Sequence, residues 1–119
     1  MKVIIAGSRS ITSKQFVDLV MSLSRFKVTE VVSGGAKGID TLGEAWAVER
    51  KIPVKRMPAD WITYGKKAGV LRNQQMAEYA DALVAIWDGA SKGTAHMISY
   101  AKRKGIKTFV YSLFADGLD

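Results

Sequence analysis

Three glycines fall within five positions in the stretch Ser33-Gly34-Gly35-Ala36-Lys37-Gly38-Ile39-Asp40. Glycine lets a backbone turn tightly and come close to a ligand with no Cβ in the way. An apolar run of strand type, Thr29 to Val32, leads into the stretch, and a helical pattern leaves it near Asp40. A helix that starts there presents free N–H groups and the positive end of its dipole. This is chemistry for an anion, phosphate foremost. A glycine-rich turn that binds nothing would share the same composition.

Other residues could complete an anion site. Arg9, Lys37, Lys66, Lys67, Arg72 and Lys92 lie in or beside loops, and such side chains commonly finish a phosphate held by backbone donors. Any one of these lysines taken singly reads better as a solvated charge. Arg9 directly follows Gly7-Ser8 at a strand end, and Arg72-Asn73 lies early in a helix among apolar neighbours, where a planar donor fork needs a reason. Asp40 and Glu44, four apart, share a helix face. One of them would accept a ribose hydroxyl; otherwise Asp40 favours the helix N-terminus and Glu44 faces solvent. Trp61 and Tyr64 have no core duty by pattern and could stack a base. Trp46 and Trp87 lie on apolar faces and read as core. Ser8, Ser33, Ser91 and Thr94 could donate to phosphate, but none has the base partner of a hydrolytic triad. His96 is the only histidine and cysteine is absent, so no metal is expected, and His96 reads as a helix-surface residue. Neither G-x-x-x-x-G-K-[ST] nor G-x-G-x-x-G occurs, which excludes the standard P-loop and dinucleotide fingerprints.

The elements that must position these residues alternate between β and α. Strands are expected at Lys2–Ala6, Thr29–Val32, Val54–Met57, Ala82–Trp87 and Lys107–Leu113. Helices are expected from Ser13 as N-cap to about Arg25, then over Asp40–Lys51, Ala68–Ala80 and Thr94–Lys104, the last stopped by Gly105. Phe16, Val17, Val20, Met21 and Leu23 would be the buried stripe of the first helix, and Leu42, Ala45, Trp46 and Val48 that of the second. Pro58–Lys67 is the longest irregular connection, and Phe114–Asp119 reads as a tail. This alternation predicts a Rossmann-like α/β fold, three layers around a parallel sheet of about five strands, as a single domain over residues 1–119. In such sheets ligands sit at the carboxyl ends of the strands. Gly7–Ser10, Ser33–Asp40, Pro58–Lys67 and Asp88–Thr94 all follow strands and should converge there.

The 119 residues are 48% hydrophobic, which suits one core of ordinary size. A formal net charge of +7 points to an anionic partner, nucleotide or nucleic acid. Met1–Gly7 is too short for a signal peptide, no apolar run approaches a membrane span, and the lack of cysteine fits a reducing cytoplasm. A cytoplasmic location with no membrane partner is the expectation.

Gly7-Ser8-Arg9, Ser33–Asp40, Arg72-Asn73 and Ser91-Lys92-Gly93-Thr94 together resemble the SLOG superfamily, and within it the small stand-alone group related to YspA and YpsA of bacteria and phages. Pro58–Trp61 and Ala82–Gly89 are similar to that group, so the resemblance runs to about Tyr111. It implies a nucleotide or nucleotide-derived ligand and a homo-oligomer, dimer or larger, with no resident cofactor. Two branches of the superfamily suggest alternatives. The LOG enzymes hydrolyse the N-glycosidic bond of a nucleoside monophosphate with an arginine and a glutamate. Arg72 is similar in placement to that arginine, but Met97 stands at the glutamate's spacing after Gly93-Thr94, leaving Glu44 as a substitute and the catalytic set unknown. DprA binds single-stranded DNA, and its Ser-Gly-x-Ala-x-Gly-Ile-Asp and Arg-Asn look much like Ser33–Asp40 and Arg72-Asn73. The expected site places phosphate on the N–H groups of Gly34 to Gly38, with Gly35 and Gly38 among them, and of Gly93-Thr94. Arg9, Lys37 and Arg72 neutralise it, Asp40 takes a ribose hydroxyl, and Trp61 or Tyr64 covers the base. Gly7, Ser8, Ser33 and Asn73 complete the set.

Overall fold

The runs Val3–Ala6 and Ala82–Ile86 consist of Val, Ile, Leu and Ala alone, which suits the centre of a sheet covered on both sides. A computed structural model describes residues 1–113, so the expected tail, Phe114–Asp119, lies outside the described residues. Strands β1 (Lys2–Gly7), β2 (Glu30–Ser33), β3 (Val54–Arg56), β4 (Ala82–Trp87) and β5 (Lys107–Ser112) form one sheet in the order β3-β2-β1-β4-β5. Every pairing is parallel; Ile4, for example, lies between Val32 and Leu83.

Successive strand residues point to opposite faces, and the two cores follow that alternation. Val3, Ile5, Val31, Val84 and Ile86 pack against helices α1 (Lys14–Ser24) and α2 (Ile39–Glu49). Ile4, Val32, Leu83 and Ala85 pack against α4 (Ala68–Tyr79) and α5 (Lys92–Lys104). Each central aliphatic is essentially without exposure, and burying one contributes about 1.5–3 kcal/mol. The result is three layers, α/β/α, with the sheet between two helix pairs.

Three local expectations change. Pro58–Lys67 is not irregular: Asp60 caps a short helix α3 (Trp61–Tyr64) by accepting from the Thr63 N–H at 3.1 Å, and a 3₁₀ turn (Gly65–Lys67) runs on into α4. Helix α5 begins at Lys92, before Thr94, because the Ser91 hydroxyl caps it by accepting from the Thr94 N–H. Leu23 and Val48 are exposed, at 49% and 69%, since each falls just outside the stripe its helix turns to the sheet. Among the described residues no helix is long and apolar enough to cross a membrane.

The chain leaves β1 toward β2 and β3 on one side, then crosses to β4 and β5 on the other. The order therefore reverses between β1 and β4, which opens a crevice at their carboxyl ends. Ser8 stitches that switch point together. Its N–H donates to the Ile86 carbonyl at 3.1 Å, and its hydroxyl accepts from the Asp88 N–H at 3.1 Å.

Candidate functional site

The loop from Ser33 to Asp40 is held from within. The Gly35 N–H donates to the Ser33 hydroxyl at 3.1 Å, and the Ala36 N–H donates to Asp40 Oδ2 at 3.2 Å. Two of the backbone donors that sequence assigned to phosphate are thus already engaged. Gly34 sits under the Arg72 guanidinium: a Cβ there would lie 2.5 Å from Arg72 Nη1 and 2.9 Å from Asp40 Oδ2. Gly38, at φ 81°, lies against the backbone of Arg9, where a Cβ would come within 2.8 Å of its Cα.

Arg72 and Asn73 connect the two glycine loops. Arg72 Nη1 donates to the Gly34 carbonyl at 2.7 Å, and Arg72 Nε donates to Asn73 Oδ1 at 3.2 Å. Asn73 Nδ2 in turn reaches the Gly93 carbonyl and His96 Nδ1, each at 3.2 Å. That is the reason for a donor fork early in α4: the guanidinium ties the β2 loop to this helix, and Asn73 ties the helix to α5.

Asp40 and Glu44 share a face of α2 yet have different duties. Asp40 is 7% exposed. Burial raises its pKa from 3.8 to about 6, against the opposing hydrogen bond from Ala36 and the charge of Arg72. Glu44 does not face solvent. It accepts from the Ser33 hydroxyl at 2.5 Å and from both Nε and Nη2 of Arg56 on β3. Burial opposes its ionisation, but the hydrogen bonds from Arg56 and Ser33 and the Arg56 charge hold it below its ordinary value.

These groups surround a cleft of about 600 Å³ at the β1/β4 switch point. Of the residues singled out from sequence, Gly7, Arg9, Asp40, Trp61, Arg72, Asn73, Gly93 and Thr94 line it. Ser8, Ser33, Gly34, Gly35, Lys37 and Gly38 do not; Ser8, Ser33 and Gly34 are buried, and Gly35 and Lys37 are exposed. Glu44 lies outside the lining as well, whereas Met97, 1% exposed, is part of it. The cleft is cationic and half apolar. Arg9 follows β1, Lys66 and Arg72 lie on the 3₁₀ turn and the helix α4 it runs into, Lys92 opens α5, and Asp40 is the one carboxylate that lines the cleft among the described residues. Met76, Met97 and Ala6 supply buried apolar surface, and Trp61, 56% exposed, stands at the rim. Gly93 meets open space, with nothing within 4 Å of a Cβ built on it. Among the described residues no cluster of His, Asp or Glu is placed to hold a metal ion.

Sequence reasoning passed over Lys66 and Lys92 as individual site residues, and read His96 as surface. A signal existed. Gly69, Arg72, Asn73 and Met76 recur at helical spacing, as do Lys92, Gly93, His96 and Met97, so each set marks one face of its helix. The spacing alone did not say that these two faces meet.

A profile of the YAcAr family, described as the YspA, cpYpsA-related SLOG family, matches residues 1–64. The Gene 61 protein of Mycobacterium phage D29 is 40% identical over 82 residues, 64% of this chain and 66% of the phage protein. The X-ray structure of DNA processing protein A (DprA) from Streptococcus pneumoniae has a TM-score of 0.77 at 20% identity, covering 98% of this chain and 52% of that one. The likeness to DprA is one of fold. This chain spans just under two thirds of the phage relative and about half of the DprA chain.

Proposed function

Since the chain belongs to the YspA, cpYpsA-related SLOG family, we propose that its cleft binds a nucleotide or nucleotide-derived small molecule. One observation carries the reading: four basic side chains from three segments share a half-apolar cleft of about 600 Å³ at the sheet's switch point with a single carboxylate. The phosphate lies nearer Arg9, Lys92 and Gly93, where a built Cβ would meet only open space, than the Gly35 and Ala36 donors, which are engaged internally. Arg72 is pinned by two of its nitrogens and adds charge in a fixed direction. Asp40 accepts a ribose hydroxyl, and the base covers Met76 and Met97 under Trp61. Glu44 is occupied by Arg56 and Ser33, and Met97 offers no acid or base, so the reading is binding without cleavage of the glycosidic bond. Thermal unfolding with the four ribonucleoside 5′-monophosphates tests it. At least one should raise the Tm at millimolar concentration, and Arg9→Ala, a change at an exposed residue, should abolish the rise while leaving the ligand-free Tm unchanged. A panel in which no Tm moves would remove the proposal.

A second reading rests on the rim of the cleft and the turn beside it. Trp61 and Tyr64 are more than half exposed on the turn that carries Lys66 and Lys67. Aromatic faces beside cations suit single-stranded DNA, whose binding weakens steeply with salt. An oligonucleotide titrated at two salt concentrations separates this reading from the first, and no binding at low salt would end it.

A further inference from the structure

His96 lines the cleft on α5, one turn beyond Gly93. Its ring is fixed by a chain of hydrogen bonds whose directions can be settled one at a time. Arg72 Nε can only donate, so the Asn73 atom 3.2 Å from it is the amide oxygen. The Gly93 carbonyl can only accept, so the Asn73 atom facing it is the amide nitrogen. The orientation of Asn73, which is 6% exposed, is therefore set from both sides. The amide nitrogen has two hydrogens: one goes to Gly93, and the other points at His96 Nδ1, 3.2 Å away. Nδ1 must accept. A neutral imidazole that accepts at Nδ1 carries its proton on Nε2. Nε2 has no partner among the described residues.

We propose that His96 is a specificity-determining residue of the cleft: Arg72 and Asn73 lock it as the neutral Nε2–H tautomer, and it donates one hydrogen bond to an uncharged acceptor of the bound nucleotide, an oxygen or nitrogen of the base or sugar. The ligand contact rests on the nucleotide reading above; the lock does not. Protonation would set an Nδ1–H against the Asn73 amide hydrogen, so the imidazolium that would favour phosphate is the form the site opposes. Burial, and then the Arg103 charge, hold the His96 pKa below its ordinary value, in the same direction. The ring stacks on Tyr100 with centroids 6.1 Å apart, which limits its rotation. The cleft's basic side chains serve the phosphate, and His96 supplies a donor that can tell one base or sugar edge from another.

Long-range ¹H–¹⁵N spectra of the imidazole, together with titration of the four ribonucleoside 5′-monophosphates, test both halves. Near neutral pH the wild type should show protonated Nε2 and unprotonated Nδ1. Asn73→Asp replaces the donor with an acceptor while keeping an oxygen for Arg72, so it should move the proton to Nδ1 or raise the imidazole pKa. Protonated Nδ1 in the wild type, or a spectrum that Asn73→Asp leaves unchanged, overturns the lock. His96→Ala should weaken the best-bound monophosphate about fivefold, the share of one net hydrogen bond, and His96→Gln, whose amide keeps a donor, should restore most of it. Equal affinity in wild type and His96→Ala overturns the contact. If the wild type binds no monophosphate, the nucleotide reading falls and the contact with it, while the spectra still decide the lock.

Discussion

Asn in place of Asp40 should make this protein more stable at neutral pH and a poorer binder. Asp40 is 7% exposed, and its pKa is raised from 3.8 to about 6. With about 1.4 kcal/mol for each tenfold change, holding the side chain ionised in the fold costs about 3 kcal/mol. The sign follows from linkage. Between pH 3.8 and about 6 the native state binds a proton that the unfolded chain does not. Stability therefore falls as pH rises through that window and is level above it. Asp40→Asn mimics the protonated form and can still accept from the Ala36 N–H. Urea unfolding of both proteins from pH 4 to pH 8 should give a stability difference near zero at the acid end. The difference should open to about 3 kcal/mol in favour of the variant by pH 7. His96 has the opposite tendency, losing stability on acidification, and taking the difference at each pH cancels it. A difference that stays flat across the range, or a variant less stable than wild type at pH 7, would refute the reasoning. The same variant should bind nucleotide more weakly, as expected of a carboxylate that serves binding at the expense of stability.

Two further outcomes follow from the loops. Gly34→Ala puts a Cβ 2.5 Å from Arg72 Nη1, so the guanidinium must leave the Gly34 carbonyl. Urea unfolding should show a loss of about 1–3 kcal/mol, and the nucleotide-induced rise in Tm should disappear. Ser91→Ala removes the hydroxyl that accepts from the Thr94 N–H and should cost about 1 kcal/mol in the same assay.

The sheet was legible because its central strands are nearly unbroken apolar runs; Ala82–Trp87 could hardly be read otherwise, and its bounds match the structure. The convergence of loops at one edge followed from strand–helix alternation alone. What the loops do there was less legible. Gly34 and Gly38 stood out as glycines for a ligand, but their neighbours show that they make room for Arg72 and for the Arg9 backbone. Glu44 looked like a free carboxylate because Arg56 lies twelve residues away on another element. Asp60 and Ser91 carried their capping signals openly, yet a turn of four residues gives too little periodicity to be seen. His96 was missed for a similar reason. Its spacing from Gly93 and Met97 fixes a helix face, and only the packing of α4 beside α5 decides that this face lines a cleft.

The central claim is that the cleft at the β1/β4 switch point binds a nucleotide, and backbone-amide NMR with a ribonucleoside 5′-monophosphate tests it most directly. Signals of Arg9, Arg72, Gly93 and His96 should shift together and saturate at millimolar ligand, while those of Lys27, Asp81 and Lys107, at the opposite end of the sheet, stay in place. No saturable shift, or shifts gathered away from the cleft, would contradict the claim.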